Sequence, residues 1–144
     1  MKSPAMYLID TNVISEARKG DRANKGVVEF FEEVASSSEP LFLSSVTVGE
    51  LRRGVELIRR RRDADQAERL ETWLTRLVES FGERILAFDA DAAQVWGRLR
   101  VPDPSHALVK QIAAIALVND LTLVTRNLAD FQGLGLRLRD PFVS

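Results

Sequence analysis

Four short apolar runs that do not alternate with polar residues constrain this chain more than anything else in it. They are Met6-Tyr7-Leu8-Ile9, Leu41-Phe42-Leu43, Ile85-Leu86-Ala87-Phe88 and Leu121-Thr122-Leu123-Val124. A strand with one wet face alternates, whereas a strand buried on both faces reads as a continuous apolar run. Between the runs lie segments of helical period. Val27, Val28, Phe30, Phe31 and Val34 predict a helix over Lys25 to Ala35, and Leu51, Val55 and Ile58 one over about Val48 to Arg61. Leu70, Trp73, Leu74, Leu77 and Val78 predict a third over Asp65 to Phe81, and Asp89 to Arg100 a fourth. Ile112 to Leu117 is apolar all round, the mark of a buried helix, and Leu136-Arg137-Leu138 reads as a last short strand. Strands alternating with helices predict an α/β fold: an α/β/α sandwich with a mainly parallel central sheet. With 144 residues, one domain spanning 1–144 is expected.

The chain has no cysteine, which excludes disulfide scaffolds, zinc-thiolate sites and thiol nucleophiles. Its one histidine, His106, excludes any site needing two imidazoles and reads as a helix-start or surface residue. Twenty basic and 21 acidic residues leave a charge of −1, so no global field draws the chain to nucleic acid. Six arginines nevertheless fall between Arg52 and Arg62. They read either as a solvated helix face or as a surface that contacts phosphate or a partner. Trp73 and Trp96, at helical spacing, read as core or dimer packing. No apolar run approaches the ~18 residues of a membrane span, and the apolar stretch after Met1 to Ala5 is too short for a signal-peptide core. A cytoplasmic protein without membrane contact is the expectation. No Gly-x-Gly-x-x-Gly comes after the first strand, which argues against a dinucleotide fold. A receiver-like phosphoacceptor lacks its paired acids and its lysine at a final strand end.

In open parallel sheets, ligands bind outside the carboxyl ends of the strands. There the sequence collects Asp10 after the first run, Glu50 in the helix after the second, Asp89 after the third, and Thr125, Asn127 and Asp130 after the fourth. Oxygen donors without nitrogen or sulfur favour Mg²⁺ or Mn²⁺. Close carboxylates repel unless a cation or a proton neutralises them, and a bound metal would polarise a phosphoryl oxygen and activate water. Each residue also has a purely structural reading. Asp10-Thr11-Asn12 and Asp89 could cap helices, and Thr47-Val48-Gly49-Glu50 fits a capping box in which Glu50 reaches back to the Thr47 N–H. Asn127 could be a turn residue and Asp130 a loop carboxylate.

Three ordered segments resemble the motifs of PIN domains, in particular the VapC-type toxins of bacterial toxin–antitoxin pairs. They are Tyr7-Leu8-Ile9-Asp10-Thr11-Asn12, then Leu43 to Gly54, then Leu121 to Asn127 with Asp130-Phe131 and Gly133-Leu134-Gly135. The resemblance runs from about residue 6 to 142. It implies a Mg²⁺- or Mn²⁺-dependent endoribonuclease, a homodimer, RNA as substrate and a small antitoxin protein as inhibitor. It carries Asp10, Glu50 and Asp130 over as catalytic acids, with Asn127 as a further metal ligand and Thr11 and Thr125 as supporting hydroxyls. One position departs. Relatives carry an aspartate three residues before the Ile-Ala-Ala helix, and here Val109 precedes Ile112-Ala113-Ala114. An isopropyl group cannot ligate a cation. The valine fits an inactive variant, natural or engineered, or a site that works with fewer ligands. It also supports an alternative: a PIN-fold module that binds an antitoxin or RNA without cutting.

Overall fold

The computed structural model describes residues 6–144, so the segment Met1 to Ala5 lies outside it. Among the described residues five strands form one fully parallel sheet: β1 (Tyr7–Ile9), β2 (Leu41–Ser44), β3 (Ile85–Leu86), β4 (Thr122–Val124) and β5 (Leu138–Arg139). Their spatial order is β3-β2-β1-β4-β5. Tyr7 pairs with Leu41 on one side and with Thr122 on the other. Leu43 pairs with Ile85, and Leu123 with Leu138.

The helices divide between the two faces as the strand side chains do. Tyr7, Ile9, Leu43 and Val124 join one core with Val27, Phe30, Leu51, Val55 and Leu74. These come from α2 (Lys25–Ser37), α3 (Ser45–Arg60) and α4 (Ala64–Phe81). The short α1 (Thr11–Ala17) adds Val13 and Ile14. Leu8 and Leu123 point the other way, into a second core with Ala92, Ile112 to Ala116 and Phe131. Those belong to α5 (Ala90–Leu99), α6 (Ala107–Val118) and α7 (Leu128–Phe131). Period 2 in the strands thus feeds two layers, and the expected α/β/α sandwich is what forms.

The elements depart from expectation mainly at their ends. The third run pairs only over Ile85–Leu86, because Phe88 has turned to meet the Trp96 ring edge-on at 5.7 Å. The last strand is Leu138–Arg139 rather than Leu136 to Leu138. Helix α3 begins three residues before Val48, which matters for the site. Trp73 and Trp96 both pack against the cores, as read. His106 stands at the start of α6. Of the six arginines, Arg52 and Arg59 pair with Glu56 and Glu71 across α3 and α4, so that part of the run is a solvated helix face. No described helix is long and apolar enough to cross a membrane.

The C-terminal tail closes over the first turn of α2. Asn24 donates to the Val143 carbonyl at 2.7 Å and accepts from the Val143 N–H at 3.0 Å. Gly26 leaves room for that tail: a Cβ there would lie 2.0 Å from the Pro141 carbonyl oxygen. Gly26→Ala should therefore displace the tail and cost about 1–3 kcal/mol. Urea denaturation checks the loss, and hydrogen exchange at residues 141–144 should quicken in the same variant.

Candidate active site

The strand order reverses between β1 and β4, since the chain runs β1, β2, β3 outward on one side and then returns to add β4 and β5 on the other. Crevices form at such a switch point. Asp10 follows β1 and Thr125 follows β4 at its mouth, joined by the Asp10 N–H to the Val124 carbonyl at 2.9 Å. A cavity of about 280 Å³ opens there. Asp10, Thr11, Asn12, Glu50, Asn127 and Asp130 line one part of it; Leu108, Val109, Ile112 and Phe131 form an apolar wall.

Asp10 is only 5 % exposed and is held from three sides. Its Oδ1 accepts the Thr11 N–H at 2.9 Å, and its Oδ2 accepts the Thr125 hydroxyl at 2.8 Å and the Asn12 amide at 3.0 Å. The Asn12 Oδ1 accepts the Arg126 N–H at 2.9 Å, and the Asn127 N–H donates to Thr125 Oγ1 at 3.0 Å. These bonds favour ionised Asp10, yet burial outweighs them and pushes its pKa above the ordinary 3.8, with Asp130 adding like-charge repulsion. The capping reading of Asp10 is also correct, since it is the N-cap of α1. Capping uses Oδ1, while Oδ2 belongs to the bonds across the sheet.

Glu50 does not cap. The N-cap of α3 is Ser44, whose Oγ accepts the Thr47 N–H at 2.9 Å. The capping box expected over Thr47 to Glu50 is therefore one turn out of place, and the Glu50 carboxylate is left for the cavity. Burial raises its pKa above 4.5, Thr11 opposes that, and the Asp10 charge adds to it. Thr11 Oγ1 donates to Glu50 Oε1 at 2.9 Å and sits 3.1 Å from Thr47 Oγ1, itself 3.1 Å from Ser44 Oγ. A hydroxyl has one hydrogen to give, so a line of donors runs from Ser44 through Thr47 and Thr11 to Glu50. Ser44 and Thr47 are fully buried. Thr47→Val keeps the shape and removes the middle link, leaving the Ser44 hydroxyl without its acceptor. It should cost about 1–3 kcal/mol, measured by thermal melting, with Thr47→Ser restoring most of the loss.

Asp89 takes the structural role alone. Its carboxylate accepts the Ala92 N–H at 2.9 Å as the N-cap of α5, and it is absent from the cavity. Asn127 and Asp130 are exposed at the cavity's edge. Among the described residues no three Asp, Glu or His side chains stand close enough to hold a metal ion by themselves. Sequence reasoning missed Asn12 as the clamp between Asp10 and Thr125, and the Ser44–Thr47 link. The first was visible only as part of a capping cluster, and the second was hidden by the capping-box pattern.

The sequence model of the PIN domain family matches residues 7–132. The chain belongs to this family. The plasmid stability protein StbB of Pseudomonas syringae pv. tomato is 35 % identical over 144 residues, covering 95 % of this chain and 99 % of its own. Toxin FitB of Neisseria gonorrhoeae is 34 % identical over 143 residues, with coverages of 95 % and 99 %. VapC ribonuclease Y4jK of Sinorhizobium fredii is 31 % identical over 144 residues, with coverages of 95 % and 98 %. The crystal structure of FitAcB from Neisseria gonorrhoeae superposes with a TM-score of 0.80 at 31 % identity, covering 94 % of this chain and 98 % of that one. The sandwich is thus the PIN fold, and the crevice between β1 and β4 is the place where this PIN domain presents its acids.

Proposed function

We propose that this PIN domain is the toxin of a toxin–antitoxin pair and an endoribonuclease dependent on Mg²⁺ or Mn²⁺. The observation that carries the reading is Asp10, a carboxylate buried at the switch point whose pKa burial raises while Glu50 and Asp130 share its cavity. Desolvated acids set together in a cleft are the arrangement by which active sites shift pKa values. Relatives named as a toxin and as a VapC ribonuclease agree with it.

The donors fit a hard cation. All are oxygens, and Mg²⁺ is commonly held by one or two carboxylates while it keeps several waters. Among the described residues no three carboxylates stand close enough to share one ion. A pair drawn from Asp10, Glu50 and Asp130 would therefore hold it with waters, and the third acid and Asn127 would approach from the same cavity. When bound, it supplies Lewis acidity at the phosphoryl group and makes water nucleophilic near neutral pH. The chain's own residues do the rest. Thr125, Asn12 and the Thr11 N–H fix the Asp10 carboxylate, and Thr11 steadies Glu50. The wall of Leu108, Val109 and Ile112 keeps that side of the cleft apolar. Hydrolysis adds water at phosphorus and breaks the P–O3′ bond, leaving a 5′-phosphate and a 3′-hydroxyl.

The toxin reading includes a cytoplasmic homodimer and a small antitoxin partner. Incubation of the chain with structured RNA in Mn²⁺ and in EDTA tests it. Metal-dependent fragments bearing 5′-phosphates are expected. Cleavage equal in both buffers would sink it. Val109 in the cavity wall favours a second reading, a PIN module that binds RNA or antitoxin without cutting. Under that reading Asp10→Ala leaves toxicity in cells unchanged.

A further inference from the structure

The C-terminal tail also reaches the turn that leaves β4. Asp140 Oδ1 accepts the Phe142 N–H at 2.9 Å, and the half-buried Phe142 ring lies under an arginine, with the Arg126 Cζ 4.7 Å from its centroid. Arg126 stands between Thr125, which binds Asp10, and Asn127, which lines the cavity. Glu16 is near enough to feel the same guanidinium. Its carboxyl sits below the usual range, held there first by Lys19 and the Asn24 N–H, with the Arg126 charge adding to them. Asn24 in turn holds Val143, so the tail, α1 and the β4 turn form one closed set of contacts.

What the Arg126 backbone does there bears on Asp10. An asparagine side chain accepts at its oxygen and donates at its NH2 group, so its orientation decides what it offers a neighbour. Asn12 Oδ1 takes the Arg126 N–H at 2.9 Å. Its NH2 group is thereby turned to Asp10 Oδ2 at 3.0 Å and to Thr125 Oγ1 at 3.2 Å. Without that N–H the amide would be free to turn its oxygen toward the carboxylate, and two acceptors repel. The Arg126 N–H therefore fixes which end of Asn12 meets Asp10.

We propose that Phe142 is a positioning residue for Asp10: by holding Arg126 it keeps the Arg126 N–H on Asn12, and Asn12 turned with its donor toward the carboxylate. The inference rests on the ribonuclease reading, in which Asp10 serves the ion, and Mg²⁺ demands near-ideal octahedral geometry from its ligands. Phe142 itself lies outside the cavity. It also packs against the first core, so a test must keep that packing while removing the aromatic face.

Hydrogen exchange and ¹⁵N NMR of the full chain in EDTA test this with neither metal nor RNA in the sample. Phe142→Leu keeps an apolar side chain and loses the aromatic face. Exchange of the Arg126 amide should quicken about two- to fivefold, the factor equivalent to an exposed cation–π contact. Leu8, buried in β1, should change less, and the Asn12 side-chain amide signals should shift. Phe142→Tyr returns the ring and should restore both. Gly26→Ala, which displaces the tail from the α2 side, should reproduce the Phe142→Leu changes without altering Phe142, Arg126 or Asn12. Calorimetry should show Mn²⁺ affinity falling by about the same two- to fivefold in Phe142→Leu and recovering in Phe142→Tyr. Arg126 and Asn12 signals unmoved in Phe142→Leu overturn the proposal. So does an Arg126 change no larger than that at Leu8, which would mean that Phe142 only stabilises the fold. A Mn²⁺ affinity that holds constant while the amides respond overturns it as well. The ribonuclease reading fails separately: if neither the native nor the Val109→Asp chain binds Mn²⁺ or cuts RNA, that reading falls, and exchange in EDTA still decides whether Phe142 positions Asn12 against Asp10.

Discussion

Val109→Asp is expected to raise Mn²⁺ affinity by at least about tenfold, a modest figure given that even residues behind the ligands change affinity 10–100-fold. Metal-dependent cleavage of RNA should rise with it. Val109 lines the cavity that Asp10, Glu50 and Asp130 share, so a carboxylate there adds a hard oxygen where the wall is now apolar. The helix should accept it. Val109 is the third residue of α6, whose first turn has no acidic residue and whose N-cap, His106, makes no side-chain capping bond. An aspartate near that N-terminus interacts favourably with the helix dipole, worth about 0.3–1 kcal/mol. Against this stands repulsion from the acids already present. The metal-free variant should melt below the native chain, and Mn²⁺ should lift its melting temperature more than it lifts the native one. Calorimetric titration and a gel assay in Mn²⁺ and EDTA read both effects. If Val109→Asp shows no cleavage above the EDTA background, this fold is not a ribonuclease.

Asp10→Asn should remove metal-dependent cleavage by at least about 10²-fold, the scale on which one group that stabilises charge in the transition state is felt. Its second effect has a defined sign. The folded chain holds the Asp10 proton more tightly than the unfolded chain, because burial outweighs the bonds from Thr125, Thr11 and Asn12. The stability this proton contributes is fully present below pH 3.8 and is lost as pH rises through the raised value. In EDTA the native chain should therefore lose stability relative to Asp10→Asn as pH climbs through that window. Above it the variant should have the advantage, reduced because its NH2 group replaces one carboxylate oxygen and meets donors already facing that position. Glu50 titrates in the same direction in both proteins, and because the Asp10 charge adds to its raised pKa only in the native chain, it widens the difference rather than cancelling. Excess Mn²⁺ should reverse the order, since the ion binds the ionised carboxylate and stabilises only a chain that has it. Thermal melts of both proteins from pH 4 to 8, with and without Mn²⁺, measure this. Parallel pH curves in EDTA would mean that Asp10 is not desolvated as described.

Asp10, Glu50 and Asp130 were legible as rim residues because each comes after a readable strand or sits in the next helix. The same local reasoning failed where two local patterns competed. Thr47 to Glu50 satisfies the capping-box pattern, while Ser44 offers only a simple N-cap; the backbone took Ser44, which released Glu50. Asp89 looked as good a rim acid as Asp10, yet it turned to the Ala92 N–H and away from the cavity. The end of the third run was overestimated for a similar reason, since Phe88 is apolar enough for a strand and packs on Trp96 instead.

By itself the sequence determined the alternation of strands and helices, the two-layered burial and the rim on which the acids lie. Those arise from spacing between near neighbours, period 2 in strands and 3.6 in helices, which any folded arrangement must respect. Only the tertiary structure decided which acids share the cavity, how Asp10 is clamped and why its proton is held. Thr125 reaches Asp10 across 115 residues of sequence and Asn12 reaches Arg126 across 114. Desolvation belongs to both layers of the sandwich at once. Neither quantity has a local signature, because each depends on which distant segments the parallel sheet sets side by side.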